Sequence, residues 1–188
     1  MTLRLVPGDL SLAALDALEV EAVAAFVGEE RPLQGLSGLL DWRLCGAISR
    51  AILDGTFVPG RGEAMLLPSG GRLPAPRVFC FGLPGEDAPA REAAIRRACD
   101  VVARAGARSL ALALPAGAAG SAVARAFVEA AVQAGFASQV LLGDGRALAR
   151  DLAAAVREAK VDAQVVESGL RPEGRGAASL PGRGSVVR

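Results

Sequence analysis

Two loops of small residues have the composition of an anion-binding site. The first runs from Gln34 to Cys45 and leads into Gly46-Ala47-Ile48; the second, from Pro115 to Ser121, leaves a predicted strand and opens a predicted helix. Free N–H groups at a helix start, unshielded by large side chains, can bind a phosphate or another small anion. The residues predicted to contact such a ligand are Gly46, Ala47, Gly117, Ala118, Ala119, Gly120 and Ser121.

A plain turn is the alternative interpretation of both loops. The second loop contains no Gly-Lys-Ser/Thr sequence, so it is not the phosphate-binding loop of a nucleotide hydrolase. Glycine-rich turns between a strand and a helix are common in α/β proteins and often serve only to reverse the chain. The sequence leaves both interpretations open, and if a small anion binds, we expect both loops to contact it.

The residue types for a metal centre or for acid–base catalysis are scarce. The chain has no histidine, which is the commonest ligand of catalytic zinc. Glu29 and Glu30 form the tightest acidic pair, but adjacent carboxylates in an extended loop point apart, so solvent is their expected partner. We therefore expect no metal, no cofactor and no catalytic residue.

Three cysteines are the candidate nucleophiles. Cys45, Cys80 and Cys99 lie in apolar, periodic segments, where a cysteine behaves as a small hydrophobic residue. Without histidine, no ordinary base is present to activate a thiol. An odd number of cysteines without CxxC spacing favours a reducing compartment. We therefore expect buried, structural cysteines in a cytoplasmic protein.

A helix predicted from Glu86 to Gly106 carries arginines that could contact nucleic acid. The cluster consists of Arg91, Arg96, Arg97, Arg104 and, beyond the helix, Arg108. Acidic side chains on the same helix balance these charges, and aromatic residues, which stack on bases, make up only 4% of the chain. The pattern predicts a solvated face of mixed charge and no nucleic-acid partner.

The stretch from Asp41 to Gly55 predicts the helix around which the other elements are arranged. Asp41 can cap its start and Gly55 can end it. An apolar stripe repeats every four residues and consists of Leu40, Leu44, Ile48 and Ile52. Trp42 and Leu53 lie on the other side, which predicts a helix covered on both sides, against the middle of a sheet. Gly46 would lie in mid-helix, where a glycine indicates a close approach of backbone or ligand.

The remaining periodicities predict an α/β fold of three layers, with a mixed, mostly parallel sheet and helices on both faces. The predicted strands are residues 3–6, 19–27, 63–68, 77–83, 109–114, 138–142 and 161–166. Helices are predicted at 11–18, 41–55, 86–106, 120–135 and 144–160, with a turn at 7–8 and a helical turn near 36–40. The short link after residue 68 predicts an antiparallel hairpin, whereas the alternating helices and strands that follow predict parallel pairing.

Length and composition place these elements in one domain. A chain of 188 residues with 52% hydrophobic residues can bury one substantial core. We expect the folded domain over residues 1–167 and a flexible tail, rich in Gly, Pro and Arg, over residues 168–188. A net charge of +1 gives no general attraction to nucleic acid or membranes. No segment has the length and composition of a membrane span or a targeting signal.

Several segments resemble the amino-terminal domain of the leucyl (cytosol) aminopeptidases. They read ERPL, GLLDWRLCGAISR, GEAMLLPSGGRLP and RVFCFGLP, and the resemblance runs from Val20 to Phe136. It implies a macro-domain-like fold, in which the corresponding loops hold the phosphates of ADP-ribose. This chain lacks the asparagine-rich stretch and the triple-glycine loop of active ADP-ribose binders. The resemblance implies no peptidase chemistry, because the family keeps its two metals in a separate carboxy-terminal domain, and the surroundings of Lys160 do not match that domain's motif.

The resemblance implies a stand-alone, non-catalytic domain that serves binding or assembly. Its partner would be a second copy of the chain or a separate aminopeptidase catalytic chain. Two alternatives remain open: a binder of a small phosphate or nucleotide ligand similar to ADP-ribose, and an aminopeptidase-related protein that acts with a separate catalytic chain. Neither a membrane nor nucleic acid is an expected partner.

Overall fold

Seven strands form one mixed sheet. The computed structural model describes residues 2–85, 87–115 and 121–166. The strands are β1 (Leu3–Asp9), β2 (Ala22–Val27), β3 (Ala64–Pro68), β4 (Arg77–Gly82), β5 (Ser109–Leu112), β6 (Ser138–Gly143) and β7 (Ala163–Val165). They lie in the order β3-β4-β2-β5-β6-β1-β7. The described pairings are parallel except that of β3 with β4, which confirms the predicted sheet and its hairpin.

Helices cover both faces of this sheet. The described helices are α1 (Leu12–Asp16), α2 (Gly35–Arg43), α3 (Ala47–Leu53), α4 (Ala88–Arg104), α5 (Ser121–Gln133) and α6 (Gly145–Ala159). The helices pack on the sheet through two hydrophobic clusters. One cluster lies between one face and α1, α2 and α3; the other lies between the opposite face and α4, α5 and α6. This arrangement confirms the three predicted layers. None of the described helices is long and apolar enough to span a membrane.

The middle strands are apolar at every position because both faces are covered. In β2, Phe26 faces the cluster of α4, α5 and α6, whereas Val27 faces the cluster of α1, α2 and α3. Every residue of β2 is buried, including its three alanines and two valines. Such continuous apolar runs are typical of parallel strands between two helical layers.

β1 continues through the predicted turn at Pro7 and Gly8. It pairs with β6 as far as Asp9, opposite Gly143. Its pairing with β7 ends at Leu5, opposite Val165. Alternate residues of a strand direct their N–H groups to opposite neighbours, so the position of Pro7 faces the side on which β7 has already ended. The missing N–H of Pro7 therefore breaks no ladder hydrogen bond, and the predicted turn is wrong.

The predicted central helix is divided into α2 and α3. Cys45 and Gly46 have φ angles of 54° and 78°, and this left-handed conformation cannot continue a helix. The stripe residues Leu40 and Ile48 are fully buried against the sheet, as predicted. The opposite side is not covered, because Trp42 is 64% and Leu53 83% exposed. The prediction of one helix covered on both sides is wrong.

The close approach expected at Gly46 occurs instead at Gly38. A Cβ atom on Gly38 would lie 2.4 Å from the carbonyl oxygen of Leu33. At Gly46 the nearest such atom is Nη1 of Arg50, at 3.6 Å, so the glycine serves the left-handed turn rather than tight packing. The absence of a side chain at Gly38 lets α2 pack against the loop that precedes it.

The predicted tail over residues 168–188 lies outside the described residues.

Candidate functional site

The carboxyl ends of four strands open into a cleft at one edge of the sheet. β2, β4, β5 and β6 run parallel, so the loops after them meet at the same edge. Residues from all four strand ends line the cleft, which has a volume of about 700 Å³. Pockets of this size in α/β proteins accommodate small organic ligands, and ligands of open α/β sheets bind at this edge.

Apolar side chains form much of the cleft lining. The larger ones include Phe26, Leu36, Leu83, Leu114 and Leu142. Phe26 also contacts Phe81, with ring centroids 6.2 Å apart, so its ring is fixed from below by the core. This lining can bind an apolar or aromatic portion of a ligand, because displacing water from it is favourable.

The loop between β2 and α2 forms one wall and brings two carboxylates to the cleft. Nη1 of Arg31 donates hydrogen bonds to the carbonyl oxygens of Gly28 and Glu30, at 3.1 and 2.6 Å. The Arg31 guanidinium thus holds the loop in a compact turn. Glu29 and Glu30 are exposed, as predicted for a solvated loop, but they also line the cleft.

α2 begins at the same wall. Gln34 occupies the N-cap position but makes no side-chain capping hydrogen bond; its amide instead donates to the carbonyl oxygen of Pro32 at 3.1 Å. Ser37 is buried, with 4% of its surface exposed, and its hydroxyl donates a hydrogen bond to the carbonyl oxygen of Gln34 at 2.8 Å. The first turn of α2 therefore presents backbone N–H groups beside the cleft without a capping side chain.

The opposite wall is formed by the segment after β4 and by α4. Asp87 caps α4, because its carboxylate accepts a hydrogen bond from the N–H of Ala90 at 2.7 Å. One turn later, half-buried Arg91 lines the cleft. Within the described part of the chain, no ion pair is formed by Arg91, Glu29 or Glu30. The cleft thus carries unpaired charges of both signs on two walls.

Gly46 and Ala47, two of the predicted anion-binding residues, lie at the turn between α2 and α3. Gly46 does not line the cleft; it lines a broader depression of about 880 Å³ next to Trp42. The N–H groups of Ile48 and Ser49 donate to Oδ1 of Asp41, at 2.9 and 3.0 Å. A carboxylate of the chain itself therefore occupies the position at the start of α3 where an external anion was expected.

The second predicted loop begins at the cleft. Pro115, its first residue, lines the cleft. Gly117, Ala118, Ala119 and Gly120 lie outside the described residues, and Ser121 is the first residue of α5. Anion binding by this loop stays a prediction. Ser37, which also lines the cleft, lies within the first predicted loop, Gln34 to Cys45. Arg91 was interpreted only as part of a solvated face of mixed charge, and its place at the carboxyl ends of the parallel strands was missed.

The three cysteines are free, and two of them are buried as predicted. Burial raises the pKa of Cys80 and of Cys99 to about 12, so both thiols remain protonated at neutral pH. Cys45 is exposed, which corrects the prediction, because the left-handed turn directs it away from the core. No group of three acidic or cysteine side chains that could hold a metal occurs within residues 2–85, 87–115 and 121–166.

The arginine face of α4 is divided among internal contacts. Arg96 forms an ion pair with Glu129 at 3.5 Å, and Arg104 pairs with Asp100 at 3.4 Å. Arg97 donates a hydrogen bond to the carbonyl oxygen of Gly62. These contacts are consistent with a solvated face of mixed charge.

Comparisons with solved structures identify the fold. The chain is similar to a mutant of tomato leucine aminopeptidase (18% identity, TM-score 0.58), covering 82% of this chain and 36% of that one. It is also similar to the macrodomain of Mycobacterium tuberculosis DarG (15% identity, TM-score 0.58, 74% and 97% covered). A third similar structure is a Trypanosoma brucei macrodomain in complex with ADP-ribose (16% identity, TM-score 0.59, 80% and 67% covered). The fold is macrodomain-like, and the chain spans about a third of the tomato enzyme.

Sequence comparison identifies the family. No curated protein matched the chain. The family model of the cytosol aminopeptidase family, N-terminal domain, matches residues 22–141. This match extends from the start of β2 into β6 and includes the ends of β2, β4 and β5 that line the cleft. The chain therefore belongs to the cytosol aminopeptidase family, as a representative of its N-terminal domain.

Proposed function

We propose that this domain is a non-catalytic binding module whose functional site is the cleft at the carboxyl edge of the sheet. The observation that carries the proposal is the cleft itself: about 700 Å³, with an extensive apolar lining and polar side chains at its walls. Its described walls hold no histidine, no cysteine and no metal-binding group. Such a site can bind and orient a ligand, but it offers no activated nucleophile. The three free cysteines favour a cytoplasmic location.

A nucleotide-like phosphate ligand is the first class to test. Its support is the likeness to a macrodomain that was solved with ADP-ribose, together with the exposed backbone at the start of α2. We expect ADP-ribose or a smaller ligand to bind between Ser37 and Leu142, if the ligand class is shared. The test is an NMR titration of the labelled chain with ADP-ribose and with inorganic phosphate, following backbone amide shifts.

A cleft-filling variant makes this test specific. Ala113 lines the cleft and is half-buried, so Ala113→Trp should obstruct the cleft and abolish the ligand-induced shifts. Ala64→Trp, on the exposed edge strand β3, is the matched control and should bind normally. Binding that survives Ala113→Trp, in a variant that retains its circular dichroism spectrum, would place the ligand elsewhere.

In the same preparations, a fluorogenic leucyl-amide assay with zinc, manganese or magnesium should show no turnover.

Assembly with an aminopeptidase catalytic domain is the second candidate function. It is supported by the exposed Trp42 and Leu53 on α2 and α3, because exposed large apolar side chains are typical of interface anchors. This chain covers 36% of the tomato leucine aminopeptidase, so that protein has a further portion on which such an interface could form. Trp42→Ala should weaken association with a catalytic chain of the family in analytical ultracentrifugation. Self-association that depends on Trp42 would instead identify a second copy as the partner.

A further inference from the structure

The two edges of the described sheet differ in how they are protected from further strand pairing. β7, at one edge, has three residues, and its central residue, Gln164, is polar and exposed. β3, at the other edge, has five residues, all of them apolar. Sheet edges are usually protected by short strands or charged side chains, because an open edge offers unpaired backbone groups to another chain. The β3 edge is therefore the one that can accept a further strand.

The hydrogen bonds at the two ends of the β3–β4 hairpin show which backbone groups of β3 face outward. The N–H of Gly82 donates to the carbonyl oxygen of Glu63 at 2.8 Å, and the N–H of Ser69 donates to that of Pro76 at 3.0 Å. Along an antiparallel strand, successive residues direct their backbone groups to opposite sides. The odd-numbered residues of β3 therefore bond to β4, and the even-numbered ones direct their N–H and C=O groups away from the sheet.

The outward residues are Ala64, Leu66 and Pro68. Ala64 and Leu66 each offer one N–H and one C=O group, whereas Pro68 offers an acceptor alone. The side chains of all three are exposed, and Leu66 remains 53% exposed although it lies opposite the buried Phe79 of β4. The edge thus combines unpaired backbone groups with an exposed apolar side chain, and β3 does not line the cleft.

We propose that this edge pairs with the same edge of a second copy of the chain, as an antiparallel ladder about a two-fold axis at Met65. In this register, Ala64 of each copy lies opposite Leu66 of the other, and each such pair exchanges two hydrogen bonds. Pro68 lies beyond these four bonds, so its missing N–H costs none of them. A register centred on Leu66 would instead place Pro68 opposite Ala64 and leave the Ala64 carbonyl oxygen without a donor.

A second copy fits the edge because a two-fold axis supplies the same donors and acceptors at the same spacing. The paired strands carry no charge, so the pairing brings no like charges together within the ladder. Each exposed Leu66 packs beside the small Ala64 of the other copy. A ladder of this length is smaller than a standard interface, so we expect a dissociation constant on the order of 0.1 mM. The inference goes beyond the proposed function and does not depend on it.

Sedimentation equilibrium and amide hydrogen exchange of the full chain, at concentrations up to about 1 mM, test the pairing. Exchange of the Ala64 and Leu66 N–H groups should slow as the concentration rises. The N–H groups of Met65 and Leu67, which already bond to β4, should not change. In a mixture of differently labelled copies, an NMR contact between the Hα atoms of the two Met65 residues should report the register, and a contact centred on Leu66 would overturn it.

Two variants test the side chain and the backbone separately. Leu66→Lys brings two cations together across the ladder and should weaken association about tenfold or more, whereas Leu53→Lys, at an exposed leucine of α3, should not. Ala64→Pro removes one outward N–H from each copy and no bond to β4, so it should also weaken association. Each variant should retain the circular dichroism spectrum of the parent chain.

The outcomes separate this surface from the others. A chain that sediments as a monomer at about 1 mM, with exchange at Ala64 and Leu66 independent of concentration, would overturn the proposal and leave the edge to an extended segment of another protein. Self-association that survives Leu66→Lys and is lost in Trp42→Ala would place the interface on α2 and would also overturn it. Ala113→Trp, which obstructs the cleft, should self-associate as the parent chain does, so the pairing is tested independently of the proposed function.

Discussion

Asp41 on α2 is joined to Ser49 on α3 by a hydrogen bond of 2.6 Å between the serine hydroxyl and Oδ2 of the aspartate. Oδ1 of the same carboxylate accepts the N–H groups of Ile48 and Ser49. Asp41 thus caps a helix that begins six residues later, across the turn at Gly46. It holds α2 and α3 in a fixed relation, and it supplies the anion at the start of α3.

Replacing Asp41 tests this capping role. Asp41→Ala should lower the free energy of unfolding by about 1–2 kcal/mol, because two backbone N–H groups and the Ser49 hydroxyl lose their acceptor. Urea denaturation at neutral pH is the measurement. Asp54→Ala, an exposed aspartate at the end of α3, is the control and should be nearly neutral. Equal stability of both variants and the parent would show that the three hydrogen bonds are not significant.

The two buried thiols predict a loss of stability at alkaline pH. An unfolded cysteine has a pKa of about 8.5, whereas burial raises the pKa of Cys80 and Cys99 to about 12. Below the unfolded pKa both states hold the proton, so nothing is lost. Between pH 8.5 and 12 the unfolded state releases protons that the folded state retains, so stability falls as pH rises.

The composition makes this effect measurable. The chain has no tyrosine, and Lys160 is its one lysine, so few other side chains titrate in this range. Urea denaturation at pH 7.5 and pH 10 should show a lower free energy of unfolding at pH 10. A Cys80→Ala/Cys99→Ala variant should show a smaller difference between the two pH values. A pH dependence unchanged in that variant would assign the effect to other groups.

Replacing the buried Gln139 should stabilise the protein. Its side chain is fully buried on β6, and neither amide atom has a hydrogen-bond partner of normal geometry in the described structure. Burial raises the pKa of the Cys99 thiol, and the nearby Gln139 side chain lowers it in part. Gln139→Met keeps a similar shape and removes the unsatisfied amide, so unfolding should cost about 1–2 kcal/mol more.

The control for this substitution is an exposed glutamine. Gln133→Met, at the end of α5, changes the same atoms on the surface and should leave stability almost unchanged. Thermal denaturation of the two variants beside the parent chain gives the comparison. A destabilised Gln139→Met variant would mean that the amide has a partner, such as a buried water molecule.

The sequence predicted the layers of this fold better than its functional site. The alternation of helices and strands and the apolar run of β4 were sufficient for the mixed sheet, because periodicity reports which faces are covered. The break at Cys45 and Gly46 was missed because the stripe from Leu40 to Ile52 continues across it. Ser37 and Pro115, which line the cleft, belong to the two predicted loops, but the wall at Arg91 was missed because α4 is distant in sequence and Arg91 belongs to no local motif.

We predict that at Gly38 the cost of a steric clash outweighs the gain in helix propensity from an alanine. Alanine in a helix is favoured over glycine by about 1 kcal/mol, but a Cβ atom at Gly38 would lie 2.4 Å from the Leu33 carbonyl oxygen. Gly38→Ala should therefore destabilise the protein and displace the start of α2, which lowers ligand affinity at the cleft. Gly8→Ala, where the nearest contact is an ordinary 3.7 Å, is the control. A stabilised Gly38→Ala variant would contradict the close packing of α2 on its preceding loop.

The central claim is that the cleft between the β2–α2 loop and α4 is the binding site of this domain. The most direct test is an NMR screen of the full chain with a mixed library of small polar and apolar compounds, because it assumes no ligand class. We predict that most compounds that bind will shift the amides of Leu36, Ser37, Leu83 and Leu142, and that Ala113→Trp will abolish these shifts. Shifts confined to other surfaces, such as the depression beside Trp42 and Ser49, would contradict the account.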